Sequence, residues 1–192
     1  MKKSIKGVKV EEFERAYRKT LAWFFAFPER KTGLTELSKL IKSSKTATKE
    51  AVETLINNEF INREIAGKAW ILSANERNKH FQIKKIPYHL DKIYESGVIE
   101  VIYQIIPQPR AIVLFGSYRH GVDTEESDLD IAVEVLGNEE FRIRKIVAIE
   151  QLGYRKNIPV NIHIFSRNKI DINLFSNIAN GIVLDGFLEV RP

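Results

Sequence analysis

Residues 115–133 constrain the fold of this chain more than any other part of the sequence. An apolar, β-branched run leads directly into Gly116 and Ser117. After ten further residues, Asp128 and Asp130 flank a single leucine, and a second apolar run follows. This order predicts a strand, a tight turn, the start of a helix and a second strand. Because side chains at positions i and i+2 of a strand point to the same face, Asp128 and Asp130 are expected side by side.

The surroundings of this carboxylate pair suit a divalent cation and a triphosphate. Two adjacent carboxylates repel each other unless a cation lies between them, and hard oxygen ligands favour Mg²⁺ or Mn²⁺. Gly116 allows the backbone to approach a phosphate closely, and Ser117 offers a hydroxyl and an N–H at a helix start. Arg119 and Ser127 complete the candidates for nucleotide binding, and Gly121 is predicted to end the short helix.

The spacing of Gly116-Ser117 and Asp128-x-Asp130 resembles the signature of polymerase-β-type nucleotidyltransferases. The extended form, FGSYRHG followed by SDLDIAV, is similar to the minimal nucleotidyltransferases of archaea and bacteria, and NGIVLDGFLEV resembles the tail of archaeal members. The resemblance implies two-metal transfer of a nucleoside monophosphate, AMP from ATP, to an unknown acceptor, with Mg²⁺ (or Mn²⁺) as cofactor. It makes Asp128 and Asp130 the metal ligands, and it makes Gly116 and Ser117 the β/γ-phosphate contacts.

The sequence departs from the family pattern at the third carboxylate, which active members carry on a later strand. The matching segment reads IPVNIHIF, with Asn161 at the expected acidic position and His163 next on the same face. Asn161 is neutral and cannot accept a proton as a base. His163 is either a substitute base or a half-buried ring, and Glu134 is a further candidate on the same strand face as the pair. Weak or absent turnover with retained nucleotide binding is therefore also consistent with the sequence.

Residues 1–85 are predicted to form a winged helix-turn-helix domain. Apolar spacing predicts helices over residues 11–27, 34–41 and 44–57, with Ser44 or Thr46 as the cap of the third, and a hairpin follows around Ala66-Gly67. The third helix and the hairpin supply the candidates for DNA contact. These candidates are Lys45, Thr46, Thr48, Lys49, Arg63 and Lys68. The alternative is a winged helix that serves only packing or protein contact.

Residues 86–192 are predicted to form the nucleotidyltransferase domain, after a polar linker at residues 75–85. The fold class is α+β: a mixed α/β sheet preceded by the mainly helical first domain. The predicted elements are a helical lead-in over 87–106 broken at Gly97, strands 110–115, 129–135 and 159–165, a helix start near 117, helices 138–153 and 170–179, and a short strand near 182–189.

Charge and composition limit the candidate partners of this chain and the compartment in which we expect it. Residues 1–107 hold 20 Lys/Arg and 13 Asp/Glu, giving +7, whereas residues 108–192 hold 10 and 12, giving −2. A basic first half suits nucleic acid, and it also suits a merely solvated surface. The chain has no cysteine and no apolar run of about 18 residues, the length a membrane span needs. We therefore expect a cytoplasmic protein with no membrane contact.

Three functional interpretations follow from these patterns. The first is a nucleotidyltransferase, which in minimal members of the family is often paired with a small helical HEPN-type protein. The second is a DNA-binding regulator or antitoxin-like protein whose transferase domain is weakly active or only binds nucleotide. The third is a transferase that holds its nucleic-acid substrate with the winged helix. The aromatic run at residues 23–27 adds the expectation of a homodimer surface, because its large side chains cannot all face one side of a helix.

Overall fold

The computed structural model of this chain describes residues 4–5 and 8–190, except for the side chains of residues 4, 5, 8, 147 and 148. The chain divides into two compact units, residues 1–82 and residues 83–192. Each unit is built around a β-sheet of its own. Within the described residues, no helix is both long enough and apolar enough to cross a bilayer.

The first unit combines three helices with a three-stranded antiparallel sheet. Its elements are β1 (Ser4–Ile5), β2 (Val8–Lys9), α1 (Val10–Ala26), β3 (Thr32–Gly33), α2 (Leu34–Leu40), α3 (Lys45–Asn57), β4 (Ile61–Ala66) and β5 (Ala69–Ala74). Strands β1 and β2 pair with each other, and the larger sheet has the order β3-β5-β4. The three predicted helices and the hairpin are confirmed, and β3 is too short to show a pattern in the sequence.

The N-terminus of α3 is fixed by Ser44, one of the two predicted caps. The Ser44 hydroxyl oxygen accepts a hydrogen bond from the Ala47 N–H at 3.2 Å, and the hydroxyl donates to Glu12 Oε1 at 2.6 Å. The first bond satisfies a backbone donor in the first turn of the helix. The second bond joins α3 to the first turn of α1. Thr46 lies inside the helix, so it is not the cap.

Most of the aromatic run at residues 23–27 is internal, which weakens the argument for a dimer surface there. Trp23, Phe24 and Phe25 are all buried. Trp23 packs edge-on against Phe24 with ring centroids 4.9 Å apart, and Phe25 contacts Phe81 at 5.0 Å. Because α1 is covered on more than one side, consecutive large residues can all be inside the chain. Of this run, only Phe27 keeps partial exposure, and the homodimer stays a prediction.

The second unit is a mixed α/β domain, as predicted, and its mixed sheet has five strands where the sequence predicted four. Its elements are α4 (Lys79–Glu95), which begins within the last residues of the first unit, α5 (Val98–Ile105), β6 (Pro109–Phe115), α6 (Gly116–His120), β7 (Leu129–Val135), β8 (Arg142–Leu152), β9 (Arg155–Phe165), a 3₁₀ turn (Arg167–Lys169), α7 (Ile172–Ala179) and β10 (Ile182–Gly186). The strand order is β10-β6-β7-β9-β8. Strands β7 and β9 are parallel, and the other neighbours are antiparallel.

The helix predicted over residues 138–153 is wrong, because this segment contains the long strand β8. Ile143, Ile146 and Ile149 recur at a spacing that suits one face of a helix. β-branched residues nevertheless favour strands, and only two residues separate β8 from its antiparallel partner β9. The segment therefore forms a strand because β9 pairs with it, although the spacing of its isoleucines also fits a helix.

The linker predicted over residues 75–85 contains the boundary between the two units, but its second half is the start of helix α4. Asn78 Oδ1 accepts hydrogen bonds from the backbone N–H groups of His80 at 2.8 Å and Phe81 at 3.3 Å, which caps the helix. Phe81 and Lys85 are both buried. The polar composition of the segment therefore conceals two positions that face inward.

The helical lead-in predicted over residues 87–106 begins earlier than expected and ends as expected. Pro87 lies inside α4 and does not end it. Gly97 has φ 74° and separates α4 from α5, so the predicted break is confirmed.

Two apolar clusters cover the two faces of the five-stranded sheet. The larger cluster includes Ile102, Ile131 and Ile162, and the smaller includes Ala132 and Phe165. Successive residues of a strand point to opposite faces. Asp130 is therefore on the same face as Ala132, at the border of the smaller cluster.

Candidate active site

The turn between β6 and α6 brings the backbone against the second carboxylate of the motif. Gly116 has φ 72°, in the left-handed region that residues with a side chain rarely adopt. A Cβ atom at this position would lie 2.9 Å from Asp130 Oδ2. Phe115, the last residue of β6, pairs with Asp130 in the sheet. The φ of this position favours glycine, and an added Cβ would also force the Asp130 carboxylate to shift.

The two carboxylates of the motif lie together, and both contact Asn161. Asp128 immediately precedes β7, and Asp130 is its second residue. Asn161, on the parallel neighbour β9, is the register partner of Asp130. The Asn161 Nδ2 group donates to Asp128 Oδ2 at 3.2 Å and to Asp130 Oδ1 at 3.1 Å. The amide therefore bridges the pair from the position at which the resemblance implies a third carboxylate.

His163 lies beside the pair and contacts its second member, Asp130. The His163 Nε2 is 3.1 Å from Asp130 Oδ1, and the ring packs edge-on against Phe115 at 4.8 Å between centroids. The Nδ1 atom is buried and has no hydrogen-bond partner among the described residues. A carboxylate can only accept, so Nε2 carries the proton in this contact.

The electrostatics of Asp130 reflect these two neighbours. Burial raises the pKa of its carboxyl, but the hydrogen bonds from His163 and Asn161 lower it more, so the net pKa lies below the ordinary value. The side chain keeps 28% exposure. Asp130 is therefore an ionised carboxylate at neutral pH that remains accessible to a ligand.

The donor set of the pair fits one divalent cation shared with a substrate. Asp128 and Asp130 offer carboxylate oxygens, whereas Asn161 presents its Nδ2 group to them, so its buried Oδ1 would face a cation only after the amide rotates. Carboxylate, amide and phosphate oxygens are the ligands that Mg²⁺ and Mn²⁺ prefer. Over the part of the chain that the structure describes, no three or more His, Cys, Asp or Glu side chains form a metal-holding group. A cation held by this pair would take its remaining ligands from water or from the phosphate oxygens of a substrate.

The remaining predicted nucleotide contacts, Ser117, Arg119 and Ser127, differ in how their side chains are held. Ser117 is the second residue of α6 and is half-buried. The Arg119 Nε donates to the Asn180 carbonyl at 2.7 Å, which ties this side chain to the C-terminal end of α7. The Ser127 hydroxyl oxygen accepts from the Thr124 N–H at 2.9 Å. Ser127 thus closes a turn of the loop that precedes Asp128.

Glu134 is not available as a substitute third carboxylate, which corrects the expectation from its strand position. Its side chain is 1% exposed, and its Oε1 lies 3.0 Å from Arg167 and 3.7 Å from Arg110. Both arginines also pair with Glu189. The guanidinium groups of Arg110 and Arg167 already neutralise the negative charge of this buried carboxylate, so it is not available to bind a metal ion.

Sequence reasoning missed a buried polar cluster behind the loop that leads to Asp128. It joins Lys85, His89, Tyr118, Asp123 and Arg155, all of which are buried. Their hydrogen bonds link α4, α6, the loop and the start of β9. The one signal in the sequence is the helical spacing of Lys85 and His89, which places two polar side chains on one face of α4.

In the first unit, most of the residues predicted to contact DNA surround or adjoin an open groove. The groove has a volume of about 580 Å³, and its lining includes Lys45, Lys49, Lys68 and Trp70. Arg63 stacks over the Trp70 ring at 4.7 Å, and the Lys49 ammonium lies 5.6 Å from the same ring. The cations and one aromatic ring therefore share one concave surface.

Thr48 must be removed from the predicted DNA contacts, whereas Thr46 stays exposed. The Thr48 side chain is fully buried. Its hydroxyl donates to the Ser44 carbonyl at 2.8 Å, as threonine commonly does within a helix. Four residues after the cap, Thr48 is on the core side of α3 and cannot reach a ligand.

Comparison with known proteins supports the assignment of the second unit. A search of curated proteins found no match for this sequence. Residues 98–185 match the family model described as "Polymerase beta, Nucleotidyltransferase". The matched segment runs from α5 into β10 and includes Gly116, the carboxylate pair and Asn161. The match therefore supports a polymerase-β-type nucleotidyltransferase domain in this part of the chain.

Proposed function

We propose that this chain is a nucleotidyltransferase that moves a nucleoside monophosphate, AMP from ATP, onto an acceptor hydroxyl with release of pyrophosphate. The observation that carries the proposal is the close packing of Asp128 and Asp130 beside the glycine turn at Gly116. This arrangement lies within the segment that matches the family. A compact pair of carboxylates next to a turn without a side chain suits a triphosphate and its counter-ion.

The carboxylate pair and the turn have separate roles in this proposal. Asp128 and Asp130 would hold Mg²⁺ or Mn²⁺, which when bound neutralises the triphosphate and the leaving pyrophosphate. The backbone at Gly116 lets phosphate oxygens approach, because no Cβ occupies that space. Ser117 offers its hydroxyl as a donor to the β/γ phosphates. Positioning and charge stabilisation account for most of the catalysis in such transfers.

Between the two interpretations of His163, the contacts favour an orienting role. Its Nε2 donates to Asp130, and its other ring nitrogen is buried. Neither nitrogen is therefore free to take a proton from an acceptor. Asn161 is neutral and cannot replace the negative charge of a third carboxylate. We propose binding of metal and nucleotide with slow transfer, because the site keeps its ligands and lacks a third carboxylate.

The test is transfer of labelled AMP to candidate acceptors, from ATP radiolabelled at its α-phosphate, with Mg²⁺ or Mn²⁺. Wild type should give labelled product, and Asp128→Ala/Asp130→Ala should give none. Glu150→Gln is the matched control, because it removes an exposed carboxylate on β8. Labelled product from the double variant at the wild-type rate would refute the proposal.

A second candidate function, nucleic-acid binding by the first unit, is favoured by the groove around Trp70. We propose that this unit is a winged helix-turn-helix, because its helix and strand order matches that architecture. Lys45, Lys49 and Lys68 would contact phosphates. In this interpretation the chain is a DNA-binding regulator or antitoxin-like protein, and the helical HEPN-type partner implied by the resemblance remains a prediction.

Salt dependence separates this candidate from a merely basic surface. Phosphate contacts predict that affinity for duplex DNA falls steeply as salt increases. Lys45→Gln/Lys49→Gln should reduce both the affinity and the salt slope, by about one unit of slope for each phosphate that lysine no longer neutralises. Lys84→Gln/Lys156→Gln, which removes two charges outside this groove, is the control. If affinity for DNA falls equally in both double variants, the binding is only non-specific attraction between charges and not contact at this groove.

A further inference from the structure

The loop between α6 and β7 is held from behind by buried charged side chains. Asp123, in the middle of this loop, is 1% exposed. The Lys85 Nζ lies 3.1 Å from Asp123 Oδ2 and also donates to the Asp123 carbonyl. His89 Nε2 lies 3.0 Å from Asp123 Oδ1. Two side chains of α4 therefore hold both the side chain and the backbone of one loop residue.

Arg155 holds the same loop from its other end, at the start of β9. Its Nη2 donates to the carbonyl oxygens of Glu125 at 2.7 Å and Ser127 at 2.9 Å. Its Nη1 donates to the Tyr118 hydroxyl, on α6. A planar guanidinium is the one side chain with enough fixed donors to make these three contacts together. The carbonyl of Ser127 belongs to the peptide bond that leads into Asp128.

Burying these charged groups costs free energy of desolvation, so stability alone does not explain them. Replacing a buried ion pair by apolar residues of similar size is often neutral or stabilising. Burial lowers the pKa of His89, so this histidine is neutral at physiological pH and acts as a hydrogen-bond donor to Asp123. The cluster fixes backbone carbonyls and one loop carboxylate, which determines the path of the chain into the site.

We infer that Arg155, together with Lys85 and His89, is a positioning residue for the carboxylate pair. These side chains hold the loop in the conformation that places Asp128 within reach of Asn161 and beside Asp130. The effect on metal and nucleotide rests on the proposed function. The effect on the geometry of the pair does not depend on the proposed function. The Asn161 amide contacts both carboxylates directly, so it reports their positions without any ligand.

The test compares Arg155→Lys with Arg144→Lys, in which an exposed arginine on β8 undergoes the same change. Lysine keeps the charge and loses the fixed fork of donors. Arg155→Lys should shift or broaden the Asn161 side-chain amide signals in ¹⁵N NMR of the ligand-free protein. It should also weaken Mn²⁺·ATP binding by about 10- to 100-fold, as loss of a group that supports metal ligands does. The control should change neither readout.

The outcomes separate the inference from the proposed function. Unchanged Asn161 signals in folded Arg155→Lys overturn the inference, even if the melting temperature falls. Shifted signals support it, and absence of Mn²⁺·ATP binding to wild type then refutes only the proposed function. If Arg155→Lys does not fold, Tyr118→Phe removes a single acceptor of Arg155 and should cause a smaller shift of the same signals. Unchanged signals in that variant would also overturn the inference.

Discussion

Asp130 and Glu134 are on the same face of one strand, yet their surroundings are opposite. Glu134 is buried between the guanidinium groups of Arg110 and Arg167. Asp130 is partly exposed and contacts a neutral amide and an imidazole. A carboxylate that is already compensated by fixed cations serves the fold. A carboxylate next to a second one, without a fixed cation, is available to a metal ion and its substrate.

The largest expected effect comes from removing the charge at Glu134. Glu134→Gln should lower the free energy of unfolding by about 3 kcal/mol, the lower end for breaking a buried ion pair. The lower end applies because both arginines are partly exposed and keep Glu189 as a partner. Urea denaturation measures this change in stability. Mn²⁺·ATP affinity should remain as in wild type.

Asp130→Asn is the matched comparison for Glu134→Gln and should show the reverse pattern. It weakens the contacts of Asp130 with His163 and Asn161 but also relieves repulsion from Asp128. The loss of stability should therefore be much smaller than in Glu134→Gln, while cation binding is lost. Loss of cation binding in Glu134→Gln, with retention in Asp130→Asn, would contradict the division of roles between these two residues.

The next effect concerns the glycine turn that packs on Asp130. Gly116→Ala should destabilise the fold by about 1–3 kcal/mol, the range for a strained backbone position, and should also displace Asp130 from the pair. Gly67→Ala is the control, because Gly67 has φ 60° and no atom within 4 Å of an added Cβ. Both variants should lose stability in thermal unfolding, and only Gly116→Ala should lose Mn²⁺·ATP binding. Equal binding by the two variants would disprove the importance of this close approach.

A smaller effect is expected from restoring the missing negative charge. Asn161→Asp adds a third carboxylate to the pair, so Mn²⁺ affinity should rise about tenfold, equivalent to about 1.4 kcal/mol. Without metal, the added repulsion should lower stability. Asn173→Asp, an equal change in the exposed first turn of α7, is the control for electron paramagnetic resonance titrations. No gain in Mn²⁺ affinity would show that position 161 does not face the cation.

The smallest effect is on pH dependence. Hydrogen bonds from His163 and Asn161 lower the pKa of Asp130 in spite of its burial. A depressed carboxyl pKa stabilises the fold at neutral pH, and this contribution is lost as pH falls through the folded pKa. His163→Phe removes the largest lowering contribution, so the pKa of Asp130 should rise in a ¹³C NMR titration of its carboxyl. An unchanged pKa would contradict the contact with His163.

The sequence predicts the parts of this fold that are encoded locally. The glycine turn, the Asp-Leu-Asp spacing and the strands on either side occur where the pattern places them, since each depends on a few adjacent residues. The strand β8 could not be distinguished from a helix, because the spacing of its isoleucines fits both structures. Only pairing with β9 makes this segment a strand. Thr48 and Glu134 were misjudged for a similar reason: burial and ion pairing depend on residues distant in sequence.

The buried cluster behind the loop shows the same limit more clearly. Lys85, in a segment whose composition is that of a linker, is fully buried against Asp123. Its partner lies 38 residues away, and no local pattern reports such a contact. Sequence reasoning therefore finds the carboxylate pair of the motif before it finds the groups that hold this pair in place.

The most direct test of the central claim is calorimetric titration of ATP with Mg²⁺ into wild type and into Asp128→Ala/Asp130→Ala. We predict saturable binding to wild type that is absent from the double variant. Binding of equal affinity to both proteins, or no binding to folded wild type, would contradict the claim that the carboxylate pair forms a metal-nucleotide site.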